Sequence, residues 1–140
     1  SPLPQGRTGC QRGSGAAASE DMTIQILCAE TAVAIDEMKT ILHRNFHELE
    51  RYAERSEMPP MKQRLEYKFH NAWVAERCSL LASRLFKAAG TAGMAADLPF
   101  GRFLTDITVG RQHVSNQFDQ IAKTYGAMLF GIENNKDFVL

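Results

Sequence analysis

Cysteine is scarce in the 140 residues: Cys10, Cys28 and Cys78 lie far apart and form no C-x-x-C pair or Cys/His cluster. Neither a zinc site nor a disulfide framework is therefore expected, and a reducing, cytoplasmic compartment suits the chain. An excess of either charge sign is also lacking, since Lys plus Arg and Asp plus Glu number 16 each. No overall field draws such a chain to nucleic acid or to acidic lipid, so neither partner is expected. No run of about 18 apolar residues occurs and the N-terminus has no apolar core, which argues against a membrane span or a secretory signal. Strand-type alternation is missing too, and with it any β or mixed fold. An initiating Met is absent, which points to processing or to a piece cut from something longer.

What is present is ordinary globular material, 44% hydrophobic and 23% charged, in an amount that suits one domain at most. Residues 1–20 are rich in Gly, Ser, Pro, Gln and Ala without apolar period, and read as a flexible N-terminal segment. From Ser19, Glu20 and Asp21, which supply capping residues and negative charge, the pattern changes. Ile24, Leu27, Cys28, Thr31, Ala34, Ile35, Met38, Ile41, Leu42, Phe46, Leu49 and Tyr52 recur at three- and four-residue steps, predicting an amphipathic helix of about thirty residues. Ser56 to Pro60 end it, since the paired prolines forbid its continuation. A second helix is predicted from about Met61 to Ala89 with two apolar stripes. One carries Leu65, Phe69, Trp73, Glu76, Leu80 and Ser83, the other Val74, Cys78, Leu81 and Leu85, and two stripes call for two packing partners. A third helix is predicted from near Pro99 to Phe130 through Phe103, Leu104, Ile107, Val114, Phe118, Ile121, Tyr125 and Met128. Gly110 sits inside it as a close-packing site, at a cost of about 1 kcal/mol relative to Ala. The expected architecture is an all-α up-down bundle of three long helices over residues 21–131, followed by a tail, 132–140.

His43 and His47 stand at i, i+4 with Glu48 beside them, as a metal pair does, but no third ligand falls in register and no metal site is assigned. Residues 86–116 hold more chemistry. A small-residue loop with Gly90 and Gly93 joins two helices, and Asp97, Arg102, Asp106, Arg111 and His113 follow within seventeen positions. Glycines there permit close approach of a ligand to the backbone, and the free N–H groups opening the next helix favour an anion. The plain reading of the same residues is helix punctuation: Gly90 closes one helix, and Asp97 with Pro99 opens another.

The order G-x-x-G, an acidic residue two before a proline, and Asp106 seven after that proline resembles the C-terminal helical domain of the acyl-CoA dehydrogenase superfamily. The run P-F-G-R-F, then R-Q-H, then Y-G-A-M-L-F-G is closer to one branch, the two-component flavin-dependent monooxygenases, similar to the oxygenase parts of 4-hydroxyphenylacetate hydroxylase and dibenzothiophene monooxygenase. The chain departs from the dehydrogenase pattern in having Asp97 for the catalytic Glu, Thr91 for a loop Gly and Thr105 for an Arg, and in lacking a later Glu-Gly-Thr run.

The resemblance implies a flavin cofactor, FMN or FAD, with reduced flavin supplied by a separate reductase, and a small-molecule substrate. It implies catalytic roles for His113, near the flavin ring, and for Asp97. It places the cofactor against Gly90, Thr91, Gly93 and Arg102. The family bundle has four helices, so a fourth is expected before residue 1, with further domains completing the pocket. Two rivals stand beside the monooxygenase expectation: an acyl-CoA dehydrogenase-type FAD enzyme using Asp97 as base, and a non-catalytic helical oligomerisation module. Surplus apolar stripes make a homo-oligomer, dimer or tetramer, the expectation in each case.

Overall fold

In the computed structural model, which describes residues 21–91 and 98–132, the Asp21 carboxylate accepts from the backbone N–H of Thr23 at 2.8 Å and of Ile24 at 3.4 Å. That N-cap satisfies two of the amides left open at a helix start. Helix α1 then runs Met22–Glu54, about 50 Å at 1.5 Å per residue. It ends before the prolines are reached. Ser56 N–H donates to the Ala53 carbonyl and Glu57 N–H to that of Tyr52, with Ser56 at φ 51°. This paired closure satisfies the last carbonyls by placing one residue in the left-handed region.

Pro60 opens helix α2, Met61–Ala89. The two predicted stripes of α2 do face two partners. Val74, Cys78 and Leu81 pack with Ala34 and Met38 of α1, three of these five being buried. On the other side Phe69 and Trp73 meet Phe118 and Tyr125 from the last helix. Contacts between α1 and α2 step along both helices in opposite directions: Glu30 with Arg84, Met38 with Cys78, Asn45 with His70, Glu48 with Tyr67, and Tyr52 with Gln63. The two helices thus form one antiparallel hairpin in a single register.

Beyond the loop, α3 spans Phe100–Arg111 and α4 spans Phe118–Leu129, with a 3-10 turn at Val114–Asn116 between them. The all-α bundle is as expected, but the predicted third helix is two helices joined by an elbow. The reason is local hydrogen bonding. In a continuous helix the Gly110 carbonyl accepts from the N–H of residue 114. Here it accepts instead from the Asn116 side-chain amide at 2.9 Å and from the His113 N–H at 3.2 Å. Gly110, in the last turn of α3, is a poor helix former beside this competing asparagine. A Cβ at Gly110 meets nothing within 4 Å, so it is not the close-packing site expected of it within this chain.

Apolar spacing runs through the break because α3 and α4 both lie on α2, with Ile121 and Thr124 of α4 buried. The last helix closes like the first: Gly131 N–H donates to the Met128 carbonyl and Ile132 N–H to that of Ala127, Gly131 having φ 74°.

Two helices share this closure, yet only one has glycine at the left-handed position. An L-residue there is strained by about 1 kcal/mol. Ser56→Gly is therefore expected to raise stability by about 0.5 kcal/mol, the remainder being lost to the freer unfolded chain. A thermal melt of the variant checks this, and a lowered Tm refutes it.

Candidate functional site

The elbow between α3 and α4 is where polar side chains converge. Arg111, the last residue of α3, donates from Nε to the Glu76 carboxylate of α2 at 2.5 Å. Five positions on, Asn116 accepts from the Asn71 amide of α2 at 3.3 Å while its own amide holds the Gly110 carbonyl. Two residues of α2 therefore hold the elbow on either side of its midpoint. Beneath it lies a cleft of about 170 Å³ lined by Glu76, Arg111, Gln112, Asn116, Gln117, Phe118 and Asp119. Pockets for drug-sized ligands begin at about 300 Å³, so this one takes a small group or the end of a larger molecule.

His113 stands at the midpoint and is exposed. It lies outside the helix in which it was expected, with φ −59° and ψ 142°, as the N-cap of the 3-10 turn. Its Nδ1 accepts from the Ser115 N–H at 3.2 Å and lies 2.7 Å from the Ser115 hydroxyl. An acceptor cannot also carry a hydrogen, so in the neutral ring the proton is on Nε2. His113 consequently offers an N–H donor outward.

The other expected site residues are spread along α2 and α3. Gly90, the C-cap of α2, has φ 56° and ψ −148°, a conformation nearly confined to glycine. A Cβ there meets nothing within 4 Å, so the requirement is conformational and not one of space. Thr91 follows it, exposed. Arg102 sits in the first turn of α3, with its side chain 82% exposed and only a loose approach to Asp106 at 3.6 Å. Nine residues separate it from the elbow, about 14 Å along the helix. Asp97 and Gly93 lie outside the described residues. Of the metal-like trio, His47 pairs with Glu50, and Glu48 faces α2. Among the described residues no three His, Cys, Asp or Glu side chains gather as an ion requires.

A family model for the acyl-CoA dehydrogenase C-terminal domain matches residues 4–118, most of the chain. The chain belongs to that family. Its fold is also that of three solved structures. These are the 3-HSA hydroxylase from Rhodococcus sp. RHA1 (TM-score 0.79, 24% identity, 89% of this chain and 33% of that one), XiaF from a Streptomyces species in complex with FADH2 and glycerol (0.76, 20%, 83% and 29%), and the HsaA monooxygenase from M. tuberculosis (0.76, 24%, 87% and 32%). The chain thus spans about a third of the length of each. A comparison with curated proteins finds no match.

In this acyl-CoA dehydrogenase-type domain the sequence marks Gly110 and Arg111 at the elbow, but not their partners Glu76, Asn71 and Asn116. Glu76 was counted in an apolar stripe, where a carboxylate between Trp73 and Leu80 was the signal of a partner on the facing helix. Nor does any sequence pattern mark Asn45 and His70 as partners. Asn45 is buried and its amide lies 3.1 Å from His70 Nδ1. At the same end of the hairpin, Glu48 receives bonds from the Tyr67 hydroxyl and the Gln63 amide. The Tyr67 bond holds the Glu48 carboxyl below its ordinary range against the opposing effect of burial, and burial, reinforced by Glu48, pushes the Tyr67 hydroxyl up. These groups close the hairpin and are remote from the elbow in the chain.

Burial pushes the His70 imidazole below its ordinary value; Arg44 acts in the same sense, while Glu66 and Glu48 oppose. The folded chain therefore gives up its His70 proton at a lower pH than the unfolded chain. Above the unfolded value, about 6.5, both states are neutral and the contribution is whole; as pH falls below it the unfolded state gains protons first and stability is lost. Stability is expected to decline between about pH 7.5 and 5.5, and His70→Gln to flatten that decline. Denaturant titrations of both proteins across the range check it; equal slopes exclude His70 as the cause.

Proposed function

We propose that this chain is the C-terminal helical part of a flavin-dependent oxidoreductase of the monooxygenase type, acting on a small molecule with reduced flavin and oxygen. The observation that carries the reading is the family match over residues 4–118, joined to a fold shared with a hydroxylase, a monooxygenase and a protein bound to FADH2. Reduced flavin supplies the electrons that activate oxygen. In the reading, FAD or FMN is delivered by a separate reductase in the cytoplasm, and the remaining walls of the pocket come from outside this chain. The residues suit one wall of such a site and not an enclosure. Arg102 is an exposed cation, loosely paired with Asp106, that can meet a phosphate or a carboxylate; Gly90 and Thr91 are exposed at the end of α2, and His113 presents an N–H at the elbow. The cleft at the elbow is far too small for a whole flavin. Asp97 and Gly93 keep the roles the resemblance implies for them, as part of the same proposal.

His113 is the proton donor of this reading. Its Nε2–H points away from the Ser115 turn, so a group docked on the elbow can receive a hydrogen bond or a proton from it. In the enzyme that carries this domain, His113→Ala is expected to lower kcat by about 10²-fold, the range for a positioned acid or base. Because the side chain is exposed, Tm should stay nearly unchanged. Steady-state rates and a melt of the same preparation decide: normal turnover with a lowered Tm makes His113 structural.

Large apolar side chains remain uncovered on several elements, among them Ile26, Val33 and Phe46 of α1, Phe103 and Val109 of α3, and Phe130 after α4. Such surface favours association, and we propose a homo-oligomer, dimer or tetramer. Sedimentation at micromolar concentration should find no stable monomer; a monomer with a cooperative melt overturns the expectation.

A further inference from the structure

We infer that Glu76 and Asn71, on α2, are positioning residues for His113, and that Glu76 acts through Arg111. The inference rests on the role given to His113 above. Among the described residues the His113 ring is hydrogen-bonded to Ser115, so its direction follows from where the elbow sits. The elbow is held at two points. Arg111, two residues before His113, is fastened to Glu76, and Asn116, three residues after it, to Asn71. Both anchors come from one rigid helix, five residues or about 7.5 Å apart along its axis. Between them the backbone has left the helix and is tied to itself: Asn116 N–H donates to the His113 carbonyl at 2.8 Å and the Asn116 amide to the Gly110 carbonyl at 2.9 Å.

The Glu76 end is the firmer one. Its side chain is 20% exposed and that of Arg111 40%, so water competes less there than at the open pairs Arg84 with Glu30 or Arg102 with Asp106. The contact is made by Nε of a guanidinium, a planar donor whose direction is fixed by the fork, so the pair sets orientation as well as distance. Glu76 comes from the face of α2 that also carries Trp73 against Phe118, the first residue of α4. One face of α2 thus aligns the end of α3 and the start of α4 together. A proton donor must lie within hydrogen-bond reach of its acceptor, and an ångström of misplacement costs up to about 10²-fold in rate. The ion pair of Glu76 is with Arg111, two residues before His113.

The test is a double-mutant cycle in the enzyme that carries this domain. Glu76→Gln keeps the shape and removes the charge; it is expected to lower kcat about tenfold with KM changed by less than about twofold, as loss of alignment and not of binding. In a His113→Ala background the same substitution should cost nothing further, because the residue it positions is gone. Full loss in both backgrounds overturns the inference, since Glu76 would then act on the fold or on some other group. If His113→Ala alone leaves kcat at the wild-type level, the reading of His113 falls, and this inference with it; that result is distinct from a failed coupling. Should Glu76→Gln not fold, Arg111→Lys, which keeps the charge but loses the planar fork, takes its place in the same cycle with the same two outcomes.

Discussion

The burial of α2 on both sides is the constraint on which the structure depends. Every substantial helix contact among the described residues involves it: α1 on one side, α3, the 3-10 turn and α4 on the other. A helix with a single apolar stripe needs one neighbour; one whose apolar residues spread round most of its circumference must be enclosed. The aromatic side of α2 is closed by stacking, with Phe69 and Tyr125 rings 4.6 Å apart and nearly parallel and Phe118 against both Phe69 and Trp73. Its aliphatic side is closed by Ala34 and Met38, small enough and flexible enough to let α1 lie close.

Polar residues then set register where apolar packing leaves it loose. Along the hairpin, Asn45 with His70, and the Glu48, Tyr67, Gln63 and Tyr52 cluster, favour one alignment of α1 on α2. A shift by one turn leaves a buried asparagine and a carboxylate without partners, which costs more than the apolar contacts it preserves. Glu76 and Asn71 do the same work on the opposite face, where they decide the angle of the elbow and hence where His113 stands.

Membership in the acyl-CoA dehydrogenase C-terminal domain family fits a chain that builds a scaffold well and encloses a site poorly. The core is modest, with seven buried hydrophobic residues among those described, while many large apolar side chains remain uncovered. Of the residues proposed to meet a cofactor, Gly90, Thr91 and Arg102 are exposed, as the proposed single wall requires.

The sequence by itself determined the helical class, the first two helices nearly to the residue, the two-sided character of α2 and the stop at Gly131. Each of these follows from local causes: apolar period, a capping aspartate, paired prolines, and a glycine at a left-handed position. It also carried the family, through the G-x-x-G loop, the acidic residue two before Pro99 and Asp106 seven after it. Tertiary structure decided how the elbow, broken by local hydrogen bonds, is held on α2. Apolar spacing from Phe103 to Met128 reads as one helix because α3 and α4 rest on the same face of α2, and periodicity registers the face, not the continuity of the backbone. What broke the helix was a carbonyl at Gly110 captured by an amide six residues on, and a carboxylate on another helix that held Arg111 in place. Such partners are chosen by proximity in space, and their pairing has no period in the chain.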